Sequence, residues 1–321
     1  MKSIEKLWQR VYRTPWLLFP IAIVFGLIIG LLTTWVPILG YDWIHMFHAN
    51  QATDIYYPPW TSIILAPLAQ LPAQLGLALI NGITIAAVAL TTFYQGRGNQ
   101  PWRKLAVVLA LLSPQTLIVL WTGHIDGLAL LGIWALPWAI PIVLMKSTFI
   151  GFAVITRKSW FLTALGFGLL SFFLWPDWIP QLIETLQFRS THPASAGWQQ
   201  TGFLPLALGL ILLLFSRRED VFQNIAAGAI LYPFILPYHY IVLLPALAEL
   251  KGSRLVLVWL SAWLMVVPIA LEKAFPIYFI FPLLIWWARR SPGNTVETSQ
   301  ETWLQFLTRQ LQKVRAKEIV L

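Results

Sequence analysis

Long apolar runs whose charges stand at their ends constrain this chain more tightly than any motif in it. Roughly 20 apolar residues cross about 30 Å of hydrocarbon as a helix. With short and broken segments allowed, the runs near 16–39, 60–94, 105–121, 125–145, 160–175, 203–216, 222–236, 240–250, 255–271 and 274–288 predict an all-α, polytopic transmembrane bundle of about ten spans. The run 60–94 exceeds one crossing and holds Pro67 and Pro72, which predicts a surface-lying or re-entrant helix followed by a span. Only 11% of residues are charged, against about 25% in an ordinary soluble domain, so water is not the only solvent the chain is built for.

The signs of the charges give the orientation. With the N terminus inside, 20 of the 22 basic residues fall in inner segments, from Lys2 and Lys6 through Arg103, Lys146, Arg157 and Arg217 to Arg289 and Lys317. Only Arg189 and Lys273 remain outside, a bias that the preference of Lys and Arg for the cytoplasmic side explains. The net charge of +9 therefore reads as cytoplasmic loops in a bacterial-type plasma membrane, with both termini inside, and not as a nucleic-acid surface. Without cysteine, disulfides, thiolate metal sites and cysteine nucleophiles are excluded. No glycine-rich phosphate loop appears, which disfavours nucleotide-sugar chemistry.

Residues 1–15 form a cytoplasmic amphipathic helix in this reading, with Ile4, Leu7, Trp8 and Val11 on one stripe. Residues 16–290 are the transmembrane domain, its first span, Trp16 to Leu39, being too long for a cleaved signal core. The cytoplasmic tail 291–321 carries Thr298 and Glu301 at capping-box spacing, then Trp303, Leu307, Leu311 and Val314 at helical intervals. Such a tail suits the membrane surface or a membrane-protein partner.

The same orientation places all five histidines and Asp42, Asp54, Asp126, Asp177, Glu184 and Glu272 outside, at the mouths of spans distant in sequence. Three segments stand out. In Gly40-Tyr41-Asp42-Trp43, a carboxylate stands just beyond a span, where partial desolvation raises basicity and suits a general base. It is followed by Asp54 and by Tyr57-Pro58-Pro59, a rigid entry to a helix. In Gly123-His124-Ile125-Asp126-Gly127, the glycines allow a ligand close to the backbone, although Asp126 at a helical hairpin also serves as a plain cap. The third is Pro237-Tyr238-His239-Tyr240, which an aromatic belt also accounts for. His45 and His48 with Asp42 form a weak metal-ligand spacing, and no metal or other cofactor is expected.

Taken in order, the early outer-loop Asp, Tyr-Pro-Pro, Gly-His-x-Asp and late Pro-x-His-Tyr resemble glycosyltransferase family 87, over about Trp16 to Leu250. The resemblance implies a GT-C-like fold and a hexosyltransferase that uses a polyprenyl-phosphate lipid donor and inverts the anomeric carbon. It implies Asp42 as general base, with His124, Asp126, His239 and Tyr240 lining the donor and acceptor pocket. Arg189 with His192, in the loop 176–201, is the expected phosphate contact, because the outer face is poor in cations. Two alternatives remain: a noncatalytic GT-C-like subunit of a membrane complex, suggested by that poverty, and a transporter. The transporter is opposed by acids that stand at the rim instead of the bilayer midplane and by the lack of a repeat.

Overall fold

The computed structural model describes residues 18–33, 39–48, 57–96, 100–146, 149–180, 183–184, 201–232, 236–267, 276–290 and 301–318. Among them the chain is all-helical, with no strand and one isolated bridge between Arg217 and Thr302. The helices are α1 (Leu18–Thr33), α2 (Trp60–Ala69), α3 (Ala73–Gln95), α4 (Gln100–Leu111), α5 (Pro114–Thr122), α6 (Asp126–Trp134), α7 (Ile140–Leu144), α8 (Lys158–Leu174), α9 (Leu204–Phe215), α10 (Val221–Leu231), α11 (Gly252–Trp263), α12 (Ile280–Arg290) and α13 (Trp303–Glu318). A π-helical turn covers Trp43–His48, and 3-10 helices cover Phe149–Thr156, Pro237–Glu249 and Pro276–Phe279.

By length and composition α3 is the one described helix able to cross a membrane, and α4 with α5, bent by 42°, is a second if the pair counts as one span. The bend has a local cause. Ser113 caps α5 by accepting from the Thr116 backbone N–H, and Pro114 can only begin a helix. The long run 60–94 breaks into α2 and α3 around Pro72, whose missing N–H and ring cannot continue a helix.

Helix α3 is the axis of the fold. Helix α1 packs along it so closely that neither Gly26 nor Gly82 has room for a Cβ. On its other sides stand α4, α6 and the 3-10 helix Pro237–Glu249. Tryptophans tie the elements together, because a buried indole N–H needs an acceptor and a helix carbonyl is the one within reach. Trp43 donates to the Ala73 carbonyl (2.9 Å), Trp60 to Pro141 (3.1 Å), Trp259 to Leu109 (2.8 Å) and Trp286 to Leu212 (3.1 Å).

One expected span takes a different path. The run 125–145 is two short helices folded on each other, α6 and α7, with Gly132 against Ile142 and Val143. The run 240–250 falls, but for Leu250, in a 3-10 helix of 13 residues, Pro237–Glu249. At about 2 Å per residue it reaches roughly 26 Å, so a segment too short to cross as an α-helix gains length from its geometry. At the far end of that helix Glu249 meets a second polar network. Arg289 reaches both Asp220 oxygens through Nε (2.9 Å each) and Glu249 through Nη1 (2.8 Å), and Gln95 donates to Glu249 (2.8 Å).

Helix α13 is docked by its first turn. Its capping box is Thr302 with Gln305, each donating a backbone N–H to the other's side chain, one turn later than the Thr298–Glu301 pairing. The N-terminal helix 1–15 and Thr298 lie outside the described residues.

Candidate functional site

Two glycine turns bring the first two outer motifs together. Gly123 ends α5 at φ +71°, a conformation that glycine adopts without strain, and its Cα faces Leu77 and Trp43 so closely that a Cβ would lie 2.5 Å from the leucine. Gly40, also left-handed, donates its N–H to the Trp121 carbonyl at 2.7 Å. Asp42 is thereby carried, half-buried, beside the turn that bears His124.

Below these turns four charged or imidazole groups meet, and none is more than 3% exposed: His124, Asp126, Lys146 and His239. Asp126 opens α6, where the helix dipole favours a carboxylate. The Lys146 ammonium donates to Asp126, lies 2.8 Å from His239 Nδ1 and 3.1 Å from His124 Nδ1, and stands 5.8 Å from the centre of the Tyr238 ring. Asp126 Oδ2 is 3.1 Å from His124 Nδ1 and 3.0 Å from His239 Nδ1. Tyr57, from the Tyr-Pro-Pro segment, reaches His124 Nε2 with its hydroxyl at 3.0 Å.

The geometry arranges protons as well as charges. With His124 donating through Nδ1 to Asp126, its Nε2 accepts from Tyr57, and a hydrogen-bonded path runs from the phenol to the carboxylate. His239 Nδ1 faces both an ammonium and a carboxylate, and it accepts from the first or donates to the second. The cluster is electrically balanced when both imidazoles are neutral, which is what lets it stand buried. His124, Asp126 and His239 offer three ligand atoms within 4.8 Å of one another, enough for a divalent cation. The Lys146 ammonium already supplies positive charge among them, so a metal ion would have to displace it.

Several sequence expectations change here. Lys146 was expected in an inner segment and Asp126 in an outer one, and the structure brings the two into contact: the hairpin of α6 and α7 returns Lys146 to Asp126, 20 residues back. The acids do not all stand at a rim. Gly127 packs on Thr84, the middle residue of the 23-residue α3, so the adjacent Asp126 lies level with that helix's midpoint. Tyr240 is buried between Phe149 (5.8 Å) and Phe281 (6.1 Å), while its neighbour Tyr238 lies 5.2 Å from the His124 ring. His48 donates through Nε2 to the Leu71 carbonyl at 3.0 Å, and the more exposed His45 lies tilted against Tyr41, ring centres 4.6 Å apart. Asp54, Arg189 and His192 lie outside the described residues.

No family model matches this chain, and no curated protein and no solved structure matches it either.

Proposed function

We propose that this chain is a membrane-embedded glycosyltransferase that moves a hexosyl group from a polyprenyl-phosphate donor to an acceptor hydroxyl on the outer side of a plasma membrane. The observation that carries this reading is the meeting of Tyr57, His124, Asp126, Tyr238 and His239 around Lys146, from four separate stretches of chain, with the turn that bears Asp42 held beside the His124 turn by the Gly40–Trp121 hydrogen bond. Lys146 is the cation that the outer motifs lacked, and the lipid phosphate would draw on it together with the two histidines. Asp42 takes the proton of the acceptor hydroxyl as its oxygen attacks the anomeric carbon. The bond from that carbon to the phosphate oxygen breaks, the electron pair leaves with the polyprenyl phosphate, and configuration inverts. Such general-base assistance is worth about 10²–10⁴-fold.

A bilayer setting is supported by surface chemistry. Helix α8 buries only Trp160 and Ser171, and exposes Phe161, Leu162, Leu165, Leu169 and Phe173, the last at 80%. A surface of that kind calls for lipid or a partner. In a bundle of about ten crossings with basic ends inside, α6 enters, α7 returns, and Phe149–Thr156 completes the passage to Arg157 and Lys158.

The test is transfer of radiolabelled sugar from polyprenyl-phosphate donors in membranes holding equal amounts of wild type or Asp42→Asn. Transfer by the wild type and its loss in the variant is the expected result. Equal transfer by both removes Asp42 from the mechanism, and none by either across donors and acceptors leaves a noncatalytic subunit. A second reading, a proton-coupled carrier, is favoured by one observation: the Asp126–Lys146 pair stands level with the midpoint of α3, with a His239 nitrogen against both. Proton-dependent solute uptake into vesicles without sugar transfer would select it.

A further inference from the structure

Helix α13 has two apolar faces, and the fold uses one. Trp303, Phe306 and Gln310 are partly buried against the body. The latch is specific: the Trp303 indole donates to Asn224 Oδ1 at 2.9 Å, its backbone N–H donates to the Ser216 carbonyl at 3.2 Å, and Arg218 donates its backbone N–H to the Glu301 carbonyl at 3.0 Å. The neighbouring face presents Leu304 and Leu307, 41% and 44% exposed, and the sequence continues that spacing with Leu311 and Val314.

Arginines stand around the docked turn of this helix. Arg218 and Arg309 stand 4.8 and 5.8 Å from the Phe306 ring, and Arg290 stands 5.5 Å from Phe215 at the end of α9. The sequence adds Lys313, Arg315 and Lys317 to the same helix, against Glu318 alone. Helix α9 exposes Leu210, Ile211 and Phe215, the last beside Arg290, and it packs against α13, which exposes Leu304 and Leu307. Apolar side chains beside a basic rim match the boundary between acyl chains and anionic headgroups.

We infer that α13 is an interfacial helix that binds anionic lipid on the inner leaflet, clasped to the body by Trp303 and inserting Leu304 and Leu307. The inference rests on the membrane reading above and not on the sugar chemistry. Because the chain has no cysteine, single nitroxide labels report one position each. Labels go on Leu307→Cys, on Gln312→Cys at an exposed polar position of the same helix, and on Phe173→Cys in the exposed face of α8. The full chain is reconstituted in vesicles of phosphatidylcholine alone or mixed with phosphatidylglycerol.

With phosphatidylglycerol, the Leu307 label is expected to meet dioxygen and be shielded from a water-soluble nickel chelate, whereas the Gln312 label meets the chelate. Substituting glutamine for Arg309, Lys313, Arg315 and Lys317, which leaves the Trp303 clasp intact, should bring the shielding at Leu307 down to the level at Gln312. Nickel access at Leu307 in both mixtures, with Phe173 in lipid, overturns the inference alone. Nickel access at Phe173 as well overturns the membrane reading beneath it. Shielding at Leu307 without dioxygen access, or with broadening between labels, means that protein or a second copy covers the face, and also overturns it.

Discussion

Lys146 and His239, 93 positions apart in the chain, meet with Nζ 2.8 Å from Nδ1, and Asp126 lies against both. Three segments that share no secondary-structure element depend on that meeting. Its energetics are those of a buried ion pair, in which the partners are worth more to each other than the pair is to the fold.

Lys146→Met and Asp126→Leu should therefore each destabilise the protein by about 3–5 kcal/mol, because each strands one uncompensated charge. The double substitution should recover most of that loss. Thermal unfolding of the four proteins in lipid nanodiscs measures the cycle, and additive losses would remove the coupling.

Gly123→Ala should be costly for its size. The left-handed backbone costs an alanine roughly 1–2 kcal/mol, and its methyl would also meet Leu77 and Trp43. Gly151→Ala, with nothing within 4 Å of the added methyl, should leave the melting temperature nearly unchanged. Equal effects at both positions would show that the two glycine turns are not what places Asp42 beside His124.

Arg289→Lys should fail to replace the arginine. A burial that disfavours the charge is more than offset by Asp220 and Glu249, which hold the guanidinium above its ordinary pKa. The planar fork serves Asp220 through Nε and Glu249 through Nη1 at once, and an ammonium on a flexible stem does not reproduce that geometry. Leaving one carboxylate poorly paired should cost at least about 1–3 kcal/mol in unfolding free energy. A Lys variant as stable as wild type would show that charge alone suffices.

The all-helical class was legible in the apolar runs, and the break near Pro72 in proline chemistry. The His124–Asp126 turn was legible in its flanking glycines. Lys146 was not, because the hairpin of α6 and α7 is apolar throughout and reads as one span. Pro137 and Pro141 within it were the available signal. Tyr240 was carried over from the resemblance alone, and the structure buries it between Phe149 and Phe281 while Tyr238 faces the His124 ring. In the tail Thr302–Gln305, which satisfies the same four-residue pattern as Thr298–Glu301, caps the described helix, and Thr298 lies outside the described residues.

The helix Pro237–Glu249 has a mechanical consequence. His239 near one end is fastened to Asp126, and Glu249 at the other to Arg289. Rewinding the ten steps between His239 and Glu249 as an α-helix would shorten that stretch by about 0.5 Å per residue, roughly 5 Å in all. Neither contact stretches that far. The two clusters thus act as clasps on a rod of fixed length, and a change of winding cannot occur without unfastening one of them.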